Sequence, residues 1–421
     1  MGNISSSIRE VSESCMPGGF PGDQTLHVLT RGHIPQGQKR KRGTDSLGKD
    51  DPPEPLPVPK KVRVKPVNPD NSPTTDAEHI LAPKAPVLSI RAREATATTN
   101  EPLKDYERIR KLGESSEGIV YLSKSKKTAE VLAIKVLKSK KKVYDIAQLP
   151  TNSDSMLQLN LPMHPYIIFM SQIDIVDGQV WQGLELCNGG DLYSYMERAD
   201  RLSLKEGRVT FAVHVLVQLG EALAFLHHGL RREYKGKWDI DAGWSSDTHA
   251  IIWSDLKSPN ILLNFSPANE CGMPDVRLSD GGHATLASSP WLVAGSPLYF
   301  CPEVKAAERG EKGPPMSTKS DIYTMGLTLY YLITRKHFRT GADPKHIKLP
   351  AEYRDLGFTH LLTRCLQVDP RARPSMDFDP ALGLAPAIDK AYDIRFEMVR
   401  DTRTCNLDFW KDWYKEACKK I

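Results

Sequence analysis

The chain has 421 residues, of which 40% are hydrophobic and 26% charged, a composition ordinary for a globular protein with room for about two to three domains. The formal net charge of +5 is local, because residues 31–66 hold ten Lys or Arg against four Asp or Glu. The remainder is near neutral, so a basic nucleic-acid-binding fold is not indicated.

Seven cysteines are scattered along the sequence without any paired spacing. An odd, unpatterned set predicts free thiols in a reducing compartment, and not a disulfide framework or a zinc site. No apolar run approaches the roughly 18 residues of a membrane helix, and no signal-peptide pattern opens the sequence. We therefore expect an intracellular protein, in the cytoplasm or the nucleus.

Residues 1–104 are predicted to form a disordered, Pro-rich basic tail. Fourteen of the 31 prolines precede Lys104, and residues 17–100 show neither helical nor strand periodicity. Such a segment buries too little apolar surface to offset the entropy lost on ordering.

The tail carries two competing address signals. Met1-Gly2-Asn3-Ile4-Ser5-Ser6 fits the N-myristoylation pattern, and one lipid chain needs a second signal such as Cys15 or a basic stretch. The basic stretches 39–42 and 59–65 also resemble a nuclear import signal, and a plain solvated charge run is the third alternative. Peripheral membrane contact through a lipidated N-terminus therefore stays open beside a nuclear location.

The pattern changes at Tyr106. Short β-branched and aromatic runs predict a small antiparallel sheet with strands at 106–120, 131–137, 166–175 and 180–186. From Asp191 the periodicity becomes helical, with long buried helices predicted at 208–228 and 321–334. About twenty residues between His228 and Ile251 interrupt this pattern, and we interpret them as a surface insertion.

Three segments place chemistry-bearing residues in a fixed order. Residues 131–135 end in Lys135, residues 253–260 hold Asp255 and Asn260, and residues 278–282 hold Asp280. Together they resemble the signature set of the eukaryotic-type protein kinase family. The resemblance implies an α+β, two-lobed protein kinase fold over 105–375. It divides this region into an antiparallel-sheet N-lobe at 105–186 and a helical C-lobe at 188–375, with the insertion at about 229–250 and a helical extension at 376–421.

The resemblance also implies ATP and Mg²⁺ as cofactors and protein Ser/Thr hydroxyls as acceptors. Lys135 would contact the α and β phosphates, while Asn260 and Asp280 would bind magnesium through hard oxygen atoms. Asp255 would orient the incoming hydroxyl and accept its proton, and Lys257 would reach the transferring phosphate. We expect protein substrates, a monomer, and no nucleic-acid partner.

The predicted nucleotide cleft begins with residues 113–120, which resemble the family's Gly-x-Gly-x-x-Gly-x-Val loop. Gly113 and Gly118 match, Ser115 replaces the middle glycine, and a plain hairpin turn is the alternative. The resemblance places Val120, Ala133 and Leu262 around the adenine, the backbone of Glu185 and Cys187 at the purine edge, and Asp191 at the ribose. It places Asp154 on a helix as the partner of Lys135. The alternative is an exposed Asp at a helix N-terminus, which the macrodipole also favours.

Further residues suggest an intact large lobe. By resemblance, Ser296 bonds back to the catalytic Asp and Lys, Asp321 holds the catalytic-loop backbone, and Glu303 pairs with Arg373. Two segments depart from the family pattern, namely Trp253-Ser254 in place of His-Arg and Gly281 in place of a Phe. We predict an active serine/threonine kinase, and the alternative is an interaction protein that binds nucleotide or a partner without catalysis.

Near the end of the sequence, Asn406 is predicted to cap a helix that carries Leu407, Trp410, Tyr414 and Ala417 on one face. Packing onto the large lobe and binding of a partner are the two roles left open for this face.

Overall fold

The computed structural model describes residues 101–138, 142–149, 154–202, 207–232, 237–240, 250–266, 272–400 and 407–418. Nearly all of the predicted tail and both of its address signals lie outside these ranges. The last tail residues are packed, because Leu103 is fully buried against the sheet and Glu101 accepts a hydrogen bond from Ser125. Ordered packing therefore begins before residue 105.

The N-lobe is a five-stranded antiparallel sheet with strand order β1-β2-β3-β5-β4. Its strands are β1 (Tyr106–Glu114), β2 (Gly118–Ser125), β3 (Val131–Leu137), β4 (Met170–Val176) and β5 (Gln179–Leu184). The run predicted as one strand at 106–120 is two strands, because a turn at 115–117 folds β2 back onto β1. One short helix, α1 (Asp154–Asn160), lies between β3 and β4.

The C-lobe is mainly helical. Its helices are α2 (Leu192–Arg201), α3 (Arg208–His228), α4 (Pro302–Glu308), α5 (Thr318–Thr334), α6 (Ala351–Arg354), α7 (Phe358–Cys365), α8 (Ala385–Arg400) and α9 (Leu407–Cys418). Its short strands form three pairs: β6 (Leu230–Arg232) with β7 (Trp238–Ile240), β8 (Ile251–Ile252) with β11 (Thr285–Leu286), and β9 (Ile261–Asn264) with β10 (Asp275–Leu278). This is the α+β, two-lobed architecture that the sequence predicts.

Helix α3 is the centre of the C-lobe core. Its apolar side chains face all directions, which suits a helix enclosed by others. Gly229 ends it in a left-handed conformation, and its N–H bonds back to the last turn. By length and hydropathy alone the helix could cross a membrane, yet 94% of its apolar window is buried within the lobe, as in a soluble core.

The described part of the insertion is anchored to the C-terminal region. The β6–β7 hairpin directs Arg232 Nε and Trp238 Nε1 onto the carboxylate of Asp389 in α8, at 3.1 and 2.8 Å. The Arg232 guanidinium also lies 3.5 Å from the ring centroid of Tyr392. The insertion is therefore partly packed structure, and not only a surface loop.

Helix α9 packs onto the C-lobe, the first of the two roles that the sequence left open. Trp410 and Trp413 are buried, and the ring centroid of Trp410 lies 4.9 Å from that of Phe211 and 5.4 Å from that of Tyr195. Trp413 Nε1 donates to the carbonyl of Gly189 at 3.1 Å. The predicted cap, Asn406, lies outside the described residues.

Candidate active site

A cavity of about 340 Å³ lies between the sheet and the C-lobe, a volume within the usual range of small-molecule sites. Most of the residues that the sequence assigns to the nucleotide and its metal line this cavity, namely Gly113, Ser115, Val120, Ala133, Lys135, Glu185, Cys187, Asp191, Asn260, Leu262 and Asp280. The fold therefore brings residues separated by more than 160 positions to one cleft.

The glycine-rich loop is the turn between β1 and β2. Ser115 N–H donates to the carbonyl of Gly118 at 2.9 Å, which closes the turn. A Cβ at Gly118 would lie 2.7 Å from the carbonyl oxygen of Val136, so only glycine fits there. A Cβ at Gly113 would meet nothing within 4 Å. Close packing on β3 thus explains Gly118, whereas no steric contact explains Gly113.

The segment after β5 forms the edge of the cleft. Glu185 N–H donates to the carbonyl of Phe169 at 3.0 Å, and the Glu185 carboxylate pairs with Arg277 at 3.2 Å. The N–H of Glu185 is therefore already engaged within the fold. Burial raises the pKa of the Cys187 thiol far above its ordinary range, so this cysteine is neutral at the cavity wall.

Asp191 has a structural task that the sequence analysis missed. Its carboxylate accepts hydrogen bonds from the N–H and the hydroxyl of Ser194, at 2.8 and 2.9 Å, and so caps helix α2. Burial raises the pKa of Asp191 despite these bonds. The same carboxylate lines the cavity, so capping fixes its position at the predicted ribose site.

The catalytic loop places two polar side chains, Lys257 and Asn260, on Asp255. Asp255 Oδ2 lies 3.1 Å from Lys257 Nζ and accepts from Asn260 Nδ2 at 3.0 Å. Lys257 Nζ also donates to Ser296 Oγ at 2.6 Å. Asp255 Oδ1 is buried and has no hydrogen-bond partner among the described residues. One carboxylate oxygen is thus held, and the other is an unused acceptor.

One buried contact fixes this loop and a second stabilises the large lobe, and the resemblance implied both. Asp321 accepts from the N–H groups of Trp253 and Ser254 at 2.8 and 2.9 Å, and Ser254 has a left-handed backbone with φ of 71°. Arg373 makes a bidentate pair with Glu303 at 2.6 and 2.7 Å. Both partners of the pair are present, so neither charge is buried alone.

Lys135 is the centre of a second cluster. Its ammonium contacts the carboxylate of Asp280 and lies 3.1 Å from Glu117 Oε2. Burial lowers the pKa of Lys135, but the two carboxylates outweigh it and hold the lysine charged. Burial likewise opposes the ionisation of Asp280, and Lys135 outweighs it, so the pKa of Asp280 is lowered.

Sequence reasoning missed Glu117 and His283. Glu117 lies at the tip of the glycine-rich loop, and His283 follows the metal-loop glycines. His283 Nε2 is 3.6 Å from Glu117 Oε1, and its Nδ1 is 3.8 Å from Asp255 Oδ2. Glu117 could have been noticed because a negatively charged side chain is unexpected in a loop that binds phosphates. The position of His283 depends on tertiary structure alone.

The predicted partner of Lys135 on helix α1 is not tested. Asp154 is the first residue of α1, and its side chain lies outside the described part of the structure. The next residue, Ser155, is buried and accepts from Gln182 Nε2 on β5 at 2.9 Å. The pairing of Asp154 with Lys135 stays a prediction.

Trp253 and Gly281 share one space. The indole is fully buried, and its ring edge would lie 3.1 Å from a Cβ built on Gly281. The indole N–H donates to the carbonyl of Ser279 at 3.3 Å. The large residue therefore occupies the volume beside the metal loop that an aromatic side chain at 281 would need.

Comparison with known proteins agrees with this geometry. The family model described as "Protein kinase domain" matches residues 106–379, more than half of the chain. Mouse serine/threonine-protein kinase 10 is 28% identical over 298 residues, which cover 65% of this chain and 26% of that protein. Rice serine/threonine-protein kinase SAPK4 is 23% identical over 276 residues, or 63% of this chain and 66% of that relative.

The chain thus spans about a quarter of the first relative and less than two thirds of the second. The matched region contains the five-stranded sheet, the C-lobe as far as helix α7, the cleft and all of the clustered polar residues described above. The chain belongs to the protein kinase domain family.

Proposed function

We propose that this protein transfers the γ-phosphate of ATP, with Mg²⁺, to Ser or Thr hydroxyls of protein substrates. The observation that carries the proposal is the arrangement at Asp255, one oxygen of which is held by Lys257 and Asn260 while the other is an unused buried acceptor. A base for an incoming hydroxyl needs a fixed orientation and a free lone pair, and Asp255 offers both.

The residues around the cleft divide the remaining tasks. Phosphoryl transfer depends mainly on positioning and on neutralising charge, because its transition state is loose. Lys135 supplies a buried cation at the inner end of the cavity. Lys257 bridges Asp255 and Ser296 and would carry its charge to the phosphate in transfer. Lysine two residues after the Asp resembles the serine/threonine branch of the family.

The donor set also fits magnesium. Asn260 uses its Nδ2 group for Asp255, so its amide oxygen is the atom it could offer to a metal. The lowered pKa of Asp280 keeps that carboxylate charged, and hard cations such as Mg²⁺ prefer carboxylate and carbonyl oxygens. When bound, the metal would neutralise charge on the phosphates; Asn260 and Asp280 would hold it.

A second candidate is an interaction protein that binds nucleotide without transferring phosphate. Ser254 in place of the usual arginine and Gly281 in place of a Phe favour it. The direct contact between Lys135 and Asp280 also favours it, since each must release the other to bind phosphate or metal. Neither departure removes a group of the Asp255 cluster, so we prefer the enzyme.

Transfer of label from γ-labelled ATP to a generic protein substrate by the purified full chain tests this choice. We expect incorporation that requires Mg²⁺ and that Asp255→Asn reduces by about 10²–10⁴-fold, the usual contribution of general acid–base catalysis. Incorporation that is absent, or equal in both proteins, would leave the interaction protein as the better description.

A separate prediction concerns regulation. Ser288 and Ser289 are exposed in the segment after β11, whereas Thr285 is buried and donates to the carbonyl of Ser289 at 2.9 Å. Ser254 cannot form the charge-assisted pair that arginine makes with a phosphorylated loop. Replacing Ser288 and Ser289 together by Ala should therefore leave turnover nearly unchanged, measured as initial rates before and after phosphatase treatment. A large drop would mean that another basic residue binds a phosphorylated loop.

A further inference from the structure

Lys135 takes a carboxylate partner from the glycine-rich loop. Glu117 Oε2 lies 3.1 Å from Lys135 Nζ, and both side chains are largely removed from solvent, with 13% and 9% of their surfaces exposed. Asp280 is the other carboxylate on this ammonium. Because Asp280 would turn to a metal during catalysis, the partner among the described side chains that could stay on Lys135 is Glu117.

The described side chains of helix α1 at this level of the sheet are neutral. Lys135 is paired in register with Gln182 on β5, and the Gln182 amide donates to Ser155 Oγ at 2.9 Å. Gln158, three residues further along the helix, lines the cavity beside Lys135. A hydroxyl and an amide cannot neutralise an ammonium, so among the described side chains the anions beside Lys135 are Glu117 and Asp280.

Hydrogen bonds to neighbouring residues fix the backbone of Glu117. The N–H of Glu117 is 3.2 Å from Ser115 Oγ, and its carbonyl accepts from the N–H of Lys138 at 2.7 Å. Its carboxylate lies over Gly282, where a Cβ would be 2.1 Å from Oε2. The second glycine of the metal loop therefore makes room for this side chain, and His283 approaches it from the same loop.

We propose that Glu117 is a positioning residue for the reaction, which holds Lys135 on the nucleotide phosphates. The proposal rests on the proposed function. Glu117 lies beside the lysine and outside the lining of the nucleotide cavity, so it supports Lys135 without filling the space for ATP. Without Glu117, Asp280 would be the carboxylate left on Lys135 among the described side chains, in competition with the metal.

Kinetics of Glu117→Gln in the full chain test the proposal. We expect kcat/KM for ATP to fall about tenfold or more, the fold-change equivalent of losing one hydrogen bond between charged groups. The matched control is Glu107→Gln, because Glu107 is an exposed carboxylate of the same hairpin that lies outside the cavity lining. The control should change kcat/KM little. A rise in kcat/KM for Glu117→Gln would make Glu117 an obstacle and overturn the proposal, as would no change.

Binding of Mg–ATP by calorimetry shows whether Glu117 acts through Lys135. Glu117→Gln should weaken binding in the native chain and should not weaken it further when Lys135→Met is already present. An equal loss in both backgrounds would indicate a merely structural role and overturn the proposal. Thermal unfolding of each variant checks folding, and Glu117→Asp, which keeps the charge and should recover part of the binding, replaces Glu117→Gln if the latter fails to fold.

The two measurements also separate this proposal from the proposed function. A native chain that binds Mg–ATP but transfers no phosphate contradicts the enzyme, while the binding cycle still decides the role of Glu117. A native chain that transfers phosphate, with Glu117→Gln as active as Glu107→Gln, contradicts the role of Glu117 alone. A native chain that binds no Mg–ATP overturns both.

Discussion

Replacing Lys135 by Met or Asp280 by Asn is expected to lower kcat/KM at least about 100-fold, the size of effect seen when one preorganised group facing developing charge is removed. The two side chains contact each other at the inner end of the cleft, so each positions the other. Residues that act as one unit show grossly non-additive losses. The double variant should therefore lose little more activity than the worse of the two single variants.

The fold must be measured beside the activity. Lys135→Met leaves the carboxylates of Glu117 and Asp280 adjacent without their shared cation, a cost that the residual exposure of Asp280 reduces. A matched control is Lys127→Met, because Lys127 is an exposed lysine paired with Asp105 at 2.8 Å. Water and salt screen this exposed surface pair, so its loss should leave activity unchanged. Losses that multiply in the double variant would show that Lys135 and Asp280 act independently.

The sequence predicts the fold best where one physical signal dominates. Helix α3 has the predicted bounds, Arg208–His228, because a long apolar run with a glycine after it leaves no competing structure. The run 106–120 forms two strands and not one, although the loop at 113–120 already carried a hairpin turn as its alternative interpretation. The β6–β7 hairpin also escaped prediction, because its contact with Asp389 joins residues about 150 positions apart.

Within the site, the signature residues were predictable and their support was not. Asp255 and Asn260 come together because both lie in one short loop, in which Asn260 Nδ2 donates a hydrogen bond to Asp255. Glu117 reaches Lys135 only because β1 and β2 fold over the metal loop and Gly282 lacks a side chain. Asp191 is the opposite case. An Asp before a helical run is a local signal for an N-cap, but the sequence analysis assigned Asp191 only to the ribose.

Trp253→His should destabilise the protein strongly, and the reason lies at Gly281. The indole is fully buried between the catalytic and metal loops, and truncation of a buried large aromatic residue to Ala costs about 3–5 kcal/mol. The imidazole of histidine still fills part of the volume of the indole, so the expected loss in the free energy of unfolding is somewhat smaller. Gly281→Phe should also destabilise, by about 1–3 kcal/mol or more, because a Cβ there already meets the indole at 3.1 Å.

The double change, Trp253→His with Gly281→Phe, should recover much of the loss because the new Phe fills the volume that the indole vacates. Denaturant unfolding of the four proteins gives the coupling energy, which neighbours sharing one cavity show at about 0.5–3 kcal/mol. Gly313→Phe is the matched control, since a Cβ at Gly313 meets nothing within 4 Å and should overpack nothing. Strictly additive effects would mean that the two residues do not share a cavity. The metal loop would then owe its position to Asp280 and Lys135, and the replacement of the usual Phe by Gly281 would have no packing explanation.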